Sequence, residues 1–115
     1  MKRPSAAQGD QLSAVTPELV AITDEILYER VWERPELSPR DRSLITIASL
    51  VTAFRMDHLP NHIRLGLKNG LTREEIGEAI THLAFYSSWP NATAAARKLL
   101  DVTKALDAGE ATLPD

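Results

Sequence analysis

The chain has 115 residues, which is the size of one small domain. Its formal net charge of −3 at pH 7 argues against nucleic acid as a partner, because phosphate binding needs a concentrated basic surface. It contains no cysteine, which excludes disulfides, thiolate metal sites and thiol nucleophiles. A chain this short buries a limited share of its surface, so self-association is expected to add to its stability.

The sequence predicts a single folded domain between two flexible ends. The flexible N-terminal segment comprises residues 1–14, the folded domain residues 15–108 and the flexible C-terminal tail residues 109–115. The start of the chain has two basic residues but no apolar stretch of the kind that directs export. The longest apolar-rich run, residues 44–54, is too short to span a bilayer. We therefore expect a cytoplasmic protein with no membrane partner.

The first two predicted helices each begin with a capping residue followed by proline. Thr16 precedes Pro17 at the start of the first helix, which ends near Arg34 and Pro35. Apolar residues recur in it at helical spacing: Leu19, Ile22, Ile26 and Val31. The second helix starts with the cap Ser38, Pro39 and then Asp41, which complements the helix dipole. It is apolar over most of its circumference from Leu44, so it is predicted to be the centre of the core.

Three further helices follow, and no segment shows the alternation of apolar and polar residues that is typical of a β-strand. A short third helix covers "LPNHIRLGLK" and closes at Asn69 and Gly70 in a left-handed ending. Thr72 and Glu75 form a capping box at the start of the fourth helix. The fifth starts at Pro90 and ends at Gly109. The predicted fold class is all-α, a compact bundle of about five helices.

The fourth helix has two distinct faces. One is apolar and sufficient to dock on the second helix: Ile76, Ala79, Ile80, Leu83 and Ala84. The opposite face, continued past the helix end, is acidic at its start and aromatic at its end: Glu75, Glu78, His82, Phe85, Tyr86 and Trp89. Exposed aromatic patches are rare on monomers of this size, so this face predicts a second buried surface. It would be a subunit interface, a ligand pocket, or a pocket at a subunit interface.

His82 is the first candidate for chemistry, since it lies one helical turn from both Glu78 and Tyr86. A carboxylate beside an imidazole raises its pKa and fixes its orientation, as a general acid or base requires. The alternative is an ion pair on the helix surface with His82 at an interface. For Tyr86 and Trp89 the alternative is aromatic packing between subunits.

His58 and His62 are a second candidate pair, four residues apart. Pro60 lies between them and no glutamate follows the first histidine, so a metal site is not predicted. The alternative is a helix-entry turn in which His58 caps the helix and His62 points inward.

Arg40 and Arg42 lie in the first turn of the second helix, where their charge opposes the dipole. They are either a clamp for a carboxylate or solvated surface charges.

Taken in order, the motifs resemble the carboxymuconolactone decarboxylase family over residues 15–106. They are "SPRDRSL", a histidine opening "HxxxxLxNG", "TREEI" and "THLAFYSSWPNA". The resemblance implies an all-α subunit that assembles as a trimer or hexamer, with active sites near subunit contacts. It also implies cofactor-free decarboxylation of the γ-carboxymuconolactone type.

Two departures from the wider family qualify this resemblance. Its thiol-dependent branch has two cysteines, whose positions are occupied here by Arg55 and His58, followed by a histidine that matches His62. The acidic residue that relays protons in that branch falls here near Ser43, which cannot do so. Thiol peroxidase activity is therefore excluded. The tyrosine is usually followed by a small residue and glycine, where this chain has Ser87 and Ser88.

The resulting hypothesis is a lyase that acts on a small carboxylated lactone or related oxo-acid, without metal or cofactor. His62 would be the acid or hydrogen-bond donor, and His82, held by Glu78, its partner or a second donor. Arg40 or Arg42 would bind a substrate carboxylate. The pocket would be shaped by Tyr86, Trp89 and Asn91. The alternatives are a non-catalytic oligomeric protein that binds a small acid, and a different cofactor-free lyase or isomerase.

Overall fold

A computed structural model describes residues 1–5 and 11–115 of the protein. All of the regular structure in these residues is helical. A 3₁₀ turn, Leu12–Ala14, precedes five helices in these residues. Helix α1 comprises Pro17–Ile22 and continues as a π-helix over Thr23–Val31; the others are α2 (Pro39–Thr52), α3 (Leu59–Lys68), α4 (Arg73–Tyr86) and α5 (Trp89–Asp107). The predicted all-α class is confirmed.

None of the described helices is long and apolar enough to cross a membrane. The predicted flexible segment 1–14 includes residues 6–10, which lie outside the described residues. The division into a domain of residues 15–108 and a tail of residues 109–115 stays a prediction.

Helix α2 forms the centre of the core, as predicted. It contacts α3, α4 and α5, and its residues Ile47 and Val51 are completely buried. The apolar face predicted for α4 packs against it through Ile76 and Ile80. Although α2 is apolar over most of its surface, Ile45 is 57% exposed, because one side of the helix faces away from the bundle.

Three helix ends follow their local sequence signals, whereas the cap predicted at Thr16 is wrong, because the Thr16 side chain makes no capping hydrogen bond. Ser38 accepts a hydrogen bond from the Asp41 amide at 3.1 Å, and Thr72 and Glu75 exchange both bonds of the predicted capping box. Gly70 adopts a φ of +110° at the end of α3, where the Leu71 amide donates to the Gly66 carbonyl at 2.9 Å. These three predictions are confirmed.

Gly66 sets the distance between α3 and α2. A Cβ there would lie 3.0 Å from Leu71 Cδ1 and 3.2 Å from Ile47 Cδ1, closer than side chains normally approach. The glycine therefore allows α3, which carries His62, to pack tightly on the central helix.

The first helix departs from the predicted regular pattern. Its apolar residues Leu19, Ile22 and Ile26 are 57%, 48% and 45% exposed, while Tyr28 and Trp32 are buried. From Thr23 onward the helix is π-helical, and the Trp32 amide donates to the Leu27 carbonyl five residues back, at 2.9 Å. The wider turns rotate Tyr28 and Trp32 out of the 3.6-residue phase, so that they pack with Leu65 of α3.

Candidate functional site

A cleft of about 650 Å³ lies between the N-terminal residues, the first helix and the start of α3. One part of its wall is apolar and includes Leu12, Leu19 and Leu27. The other part bears the groups capable of polar chemistry: Arg3, Ser5, Thr23, Tyr28, Asp57, His58, Asn61 and His62. Its volume is within the range of pockets that hold a small molecule.

His62 is the predicted catalytic residue that the structure places in this cleft. Its ring stacks on Trp32 with 6.3 Å between ring centroids, and its Nδ1 is buried with no hydrogen-bond partner among the described residues. Burial, and secondarily the charge of His58, lowers the pKa of His62 to about 4. His62 is therefore neutral at pH 7, and its imidazole can donate one hydrogen bond and accept another.

His58 is at the N-cap position of α3, but its side chain makes no capping hydrogen bond, so the predicted capping role is wrong. The ring instead turns toward Asp57, with 3.6 Å between Nε2 and Oδ2. Arg55 binds both Asp57 oxygens, at 3.2 and 2.9 Å. That hydrogen bonding holds the pKa of Asp57 near 2. No cluster of three potential metal ligands occurs in residues 1–5 and 11–115.

The two predicted carboxylate-binding arginines do not line the cleft. Arg40 binds Glu75 at the start of α4 and also Asp41, the latter at 3.1 Å. Arg42 donates to the Arg34 carbonyl at 3.2 Å, and its Nε is buried without a hydrogen-bond partner in the described part of the chain. Both side chains thus join segments of the bundle, although their binding role stays a prediction.

His82 and its aromatic neighbours lie on a separate, exposed surface. His82 stacks on Tyr86 at 4.7 Å between centroids, and Phe85 meets Trp89 edge to face at 5.7 Å. We call these four residues the aromatic patch. Its members Phe85, Tyr86 and Trp89 are 75%, 77% and 63% exposed. Within the described residues, no ion pair or hydrogen bond joins Glu78 to His82, and neither residue lines the cleft.

Asn91 and the two preceding serines have structural roles at the start of α5. The Asn91 side-chain amide donates to the Val51 carbonyl at 2.9 Å, which closes the end of α2. Ser88 Oγ accepts from the Asn91 amide at 3.1 Å as the N-cap. With a φ of −160°, Ser88 has an extended backbone that needs no glycine. Like Asn91, it lies outside the cleft wall.

Sequence reasoning missed several residues of the cleft wall, among them Arg3, Tyr28 and Asn61. Asn61 shares the first turns of α3 with His58 and His62, so its spacing could have identified it. Arg3 gave no such signal, because it is held in the cleft wall by Asp24, which is distant in sequence. Trp32 gave none either; it stacks on His62 without lining the cleft.

Comparisons with known proteins agree with the motifs. The sequence model of the carboxymuconolactone decarboxylase family matches residues 17–101. The 4-carboxymuconolactone decarboxylase of Acinetobacter baylyi is 41% identical over 79 residues, which are 69% of this chain and 59% of that protein. The nitrosuccinic acid decarboxylase of Metarhizium robertsii is 37% identical over 67 residues, 58% of this chain and 47% of that protein. The chain spans about half the length of these curated relatives. It belongs to the carboxymuconolactone decarboxylase family.

Proposed function

We propose that this protein is a cofactor-free carboxy-lyase that removes CO₂ from a small carboxylated lactone or a related oxo-acid. Family membership and two relatives named as decarboxylases support this function. The observation that carries it is the neutral imidazole of His62 in the wall of a cleft of about 650 Å³.

The acids in the two relatives' names share the chemistry that decarboxylation without a cofactor requires. Nitrosuccinic acid has a nitro group and 4-carboxymuconolactone an unsaturated lactone, and either group accepts an electron pair. Each acid also has two carboxyl groups, so one remains after CO₂ has left. The proposed substrate of this chain is therefore a dicarboxylate with such an acceptor group.

In the proposed reaction, the bond between the departing carboxyl carbon and the substrate carbon breaks. Its electron pair moves into the acceptor group, and a proton from water then adds to a carbon of the conjugated system, so that a C–H bond replaces the C–C bond that was broken. A neutral His62 donates a hydrogen bond to the oxygen on which charge develops. The apolar wall of Leu12, Leu19 and Leu27 faces the departing carboxylate, since apolar surroundings favour neutral CO₂ over the anion.

The protein is proposed to act as a homo-oligomer, a trimer or hexamer, with the cleft near a subunit contact. The exposure of the aromatic patch supports this, because a cluster of large side chains on a short chain is stabilised when a second copy covers it. Contact between copies would also bring His82, Tyr86 and Trp89 of one copy toward the cleft of another.

Sedimentation analysis of the wild type and of Phe85→Ser/Trp89→Ser tests this assembly. We expect the wild type to sediment as a trimer or hexamer and the double variant as a smaller species, since serine removes the apolar contact area. Leu100→Ser is the matched control, because Leu100 is 49% exposed but lies outside the patch. A monomeric wild type would contradict the proposal.

Release of CO₂ tests the function itself. The purified protein, treated with a chelator, is incubated with 4-carboxymuconolactone and with nitrosuccinic acid. We expect one CO₂ for each molecule consumed, at a rate well above that without protein. Saturable binding of these acids without CO₂ release would instead support a non-catalytic binding protein.

A further inference from the structure

We infer that Arg3 binds the carboxylate that stays on the substrate after CO₂ has left, so that the N-terminal residues take part in substrate selection. This inference rests on the proposed function. It starts from the finding that Arg3 and His62 line the same cleft.

Arg3 is held in the cleft wall in a fixed orientation. Its Nε donates to Asp24 Oδ1 at 2.6 Å, and its Nη1 donates to Ser5 Oγ at 3.0 Å. The side chain is 11% exposed, so water screens its charge less than that of a surface arginine. A guanidinium positioned in advance by other side chains loses little entropy when it binds an anion.

The residues on either side of Arg3 anchor this segment to the first helix and α3. Met1 packs against the buried cluster of Tyr28, Trp32 and Leu65, and Pro4 is buried. The charge of Arg3 also reaches Tyr28: burial raises the pKa of that hydroxyl to about 12, and Arg3 acts in the opposite direction. The segment thus places the Arg3 guanidinium, ion-paired with Asp24, in the wall of a partly apolar cleft.

The other charged groups point to Arg3 as the carboxylate ligand. Asp57, in the same wall, is bound to Arg55, so its negative charge is compensated. Arg40 and Arg42 are absent from the cleft lining. Among the described residues, Arg3 is the arginine that lines the cleft.

Arg3 lies outside residues 17–101, which match the family. The carboxylate ligand inferred here therefore lies outside the part of the chain that matches the family. A site that combines His62, inside that part, with Arg3, outside it, uses both segments to select its substrate.

Calorimetric binding of succinate tests the inference without turnover, because succinate is a dicarboxylate with no acceptor group for decarboxylation. We expect Arg3→Gln to bind succinate about 10- to 100-fold more weakly than the wild type, the effect of losing a charge-assisted hydrogen bond. Arg3→Lys should recover part of the affinity. Lys2→Gln is the matched control, since it removes the same charge from an exposed neighbouring residue outside the cleft wall.

Equal succinate affinity of Arg3→Gln and the wild type would overturn the inference, and so would a wild type that does not bind succinate at millimolar concentration. Thermal unfolding of each variant, followed by circular dichroism, identifies any loss of folding. The assay of CO₂ release separates the two proposals. If the protein releases CO₂ but its succinate affinity does not depend on Arg3, this inference alone is wrong. If succinate binding depends on Arg3 but no CO₂ is released, the decarboxylase function is wrong.

Discussion

His62→Ala is expected to lower the rate of decarboxylation by about 10²- to 10⁴-fold, the range for losing a group that donates to the reacting oxygen or moves a proton. The residue lines the cleft, and its Nδ1 is buried without a partner in the described residues. Alanine would remove both ring nitrogens. The measurement is kcat and KM for CO₂ release, and we expect the loss mainly in kcat because the hydrogen bond strengthens as charge develops.

His62→Phe distinguishes the contribution of the ring nitrogens from that of the aromatic ring. Phenylalanine preserves an aromatic ring to stack on Trp32, which lies 6.3 Å from the His62 ring, but it neither donates nor accepts a hydrogen bond. We expect it to be as inactive as His62→Ala. Undiminished turnover in either variant would remove His62 from the mechanism.

The pH dependence of kcat/KM shows which form of His62 acts. Because the pKa of His62 in the free protein is lowered to about 4, a requirement for neutral imidazole makes kcat/KM fall as the pH is lowered through about 4. A requirement for imidazolium would instead make kcat/KM fall as the pH rises above that value.

Three helix ends, at Ser38, Thr72 and Gly70, could be predicted because their signals are local. Ser38 caps a helix three residues before the amide it binds, and Thr72 and Glu75 exchange bonds across the same short distance. The left-handed ending at Gly70 likewise depends on a single backbone conformation that glycine favours. Such interactions are determined by neighbours in the chain, so sequence spacing describes them well.

The cleft could not be predicted, because its geometry depends on distant contacts. The π-helical stretch changes the phase of the first helix, and this brings Trp32 against His62, thirty positions later. Arg3 reaches the cleft through Asp24, 21 residues away. The repeat of apolar residues every 3.6 positions predicts neither the contact of Trp32 with His62 nor that of Arg3 with Asp24.

The two predicted histidines illustrate the same limit. Helical spacing correctly identified the face of α4 that carries His82, but it could not tell whether that face is covered. In the single chain, the aromatic patch is exposed, and His82 does not line the cleft of His62. A meeting of the two residues requires a second copy, so it belongs to the proposed assembly.

The burial of His62 is also expected to make the fold sensitive to acid. The pKa of His62 is lowered from 6.5 to about 4, so the folded state binds fewer protons than the unfolded state between these values. Its contribution to stability is complete above pH 6.5 and is lost as the pH falls toward 4. We expect the free energy of unfolding to decrease by about 2 to 3 kcal/mol between pH 7 and pH 4.5.

Urea unfolding followed by circular dichroism at these two pH values, at one protein concentration, measures this decrease. His62→Phe should lose most of the pH dependence, because phenylalanine does not titrate, whereas His58→Phe should keep it, since the His58 side chain is 61% exposed. The lowered pKa values of Asp57, Glu75 and Asp107 decrease stability mainly as the pH falls through and below their unfolded values of 3.8, 4.5 and 3.8, and these groups remain in His62→Phe, so the comparison with the wild type isolates His62. An equal decrease in the wild type and His62→Phe would show that His62 is not buried in its neutral form. The same burial that keeps His62 neutral for hydrogen bonding in the cleft thus costs the protein stability in acid.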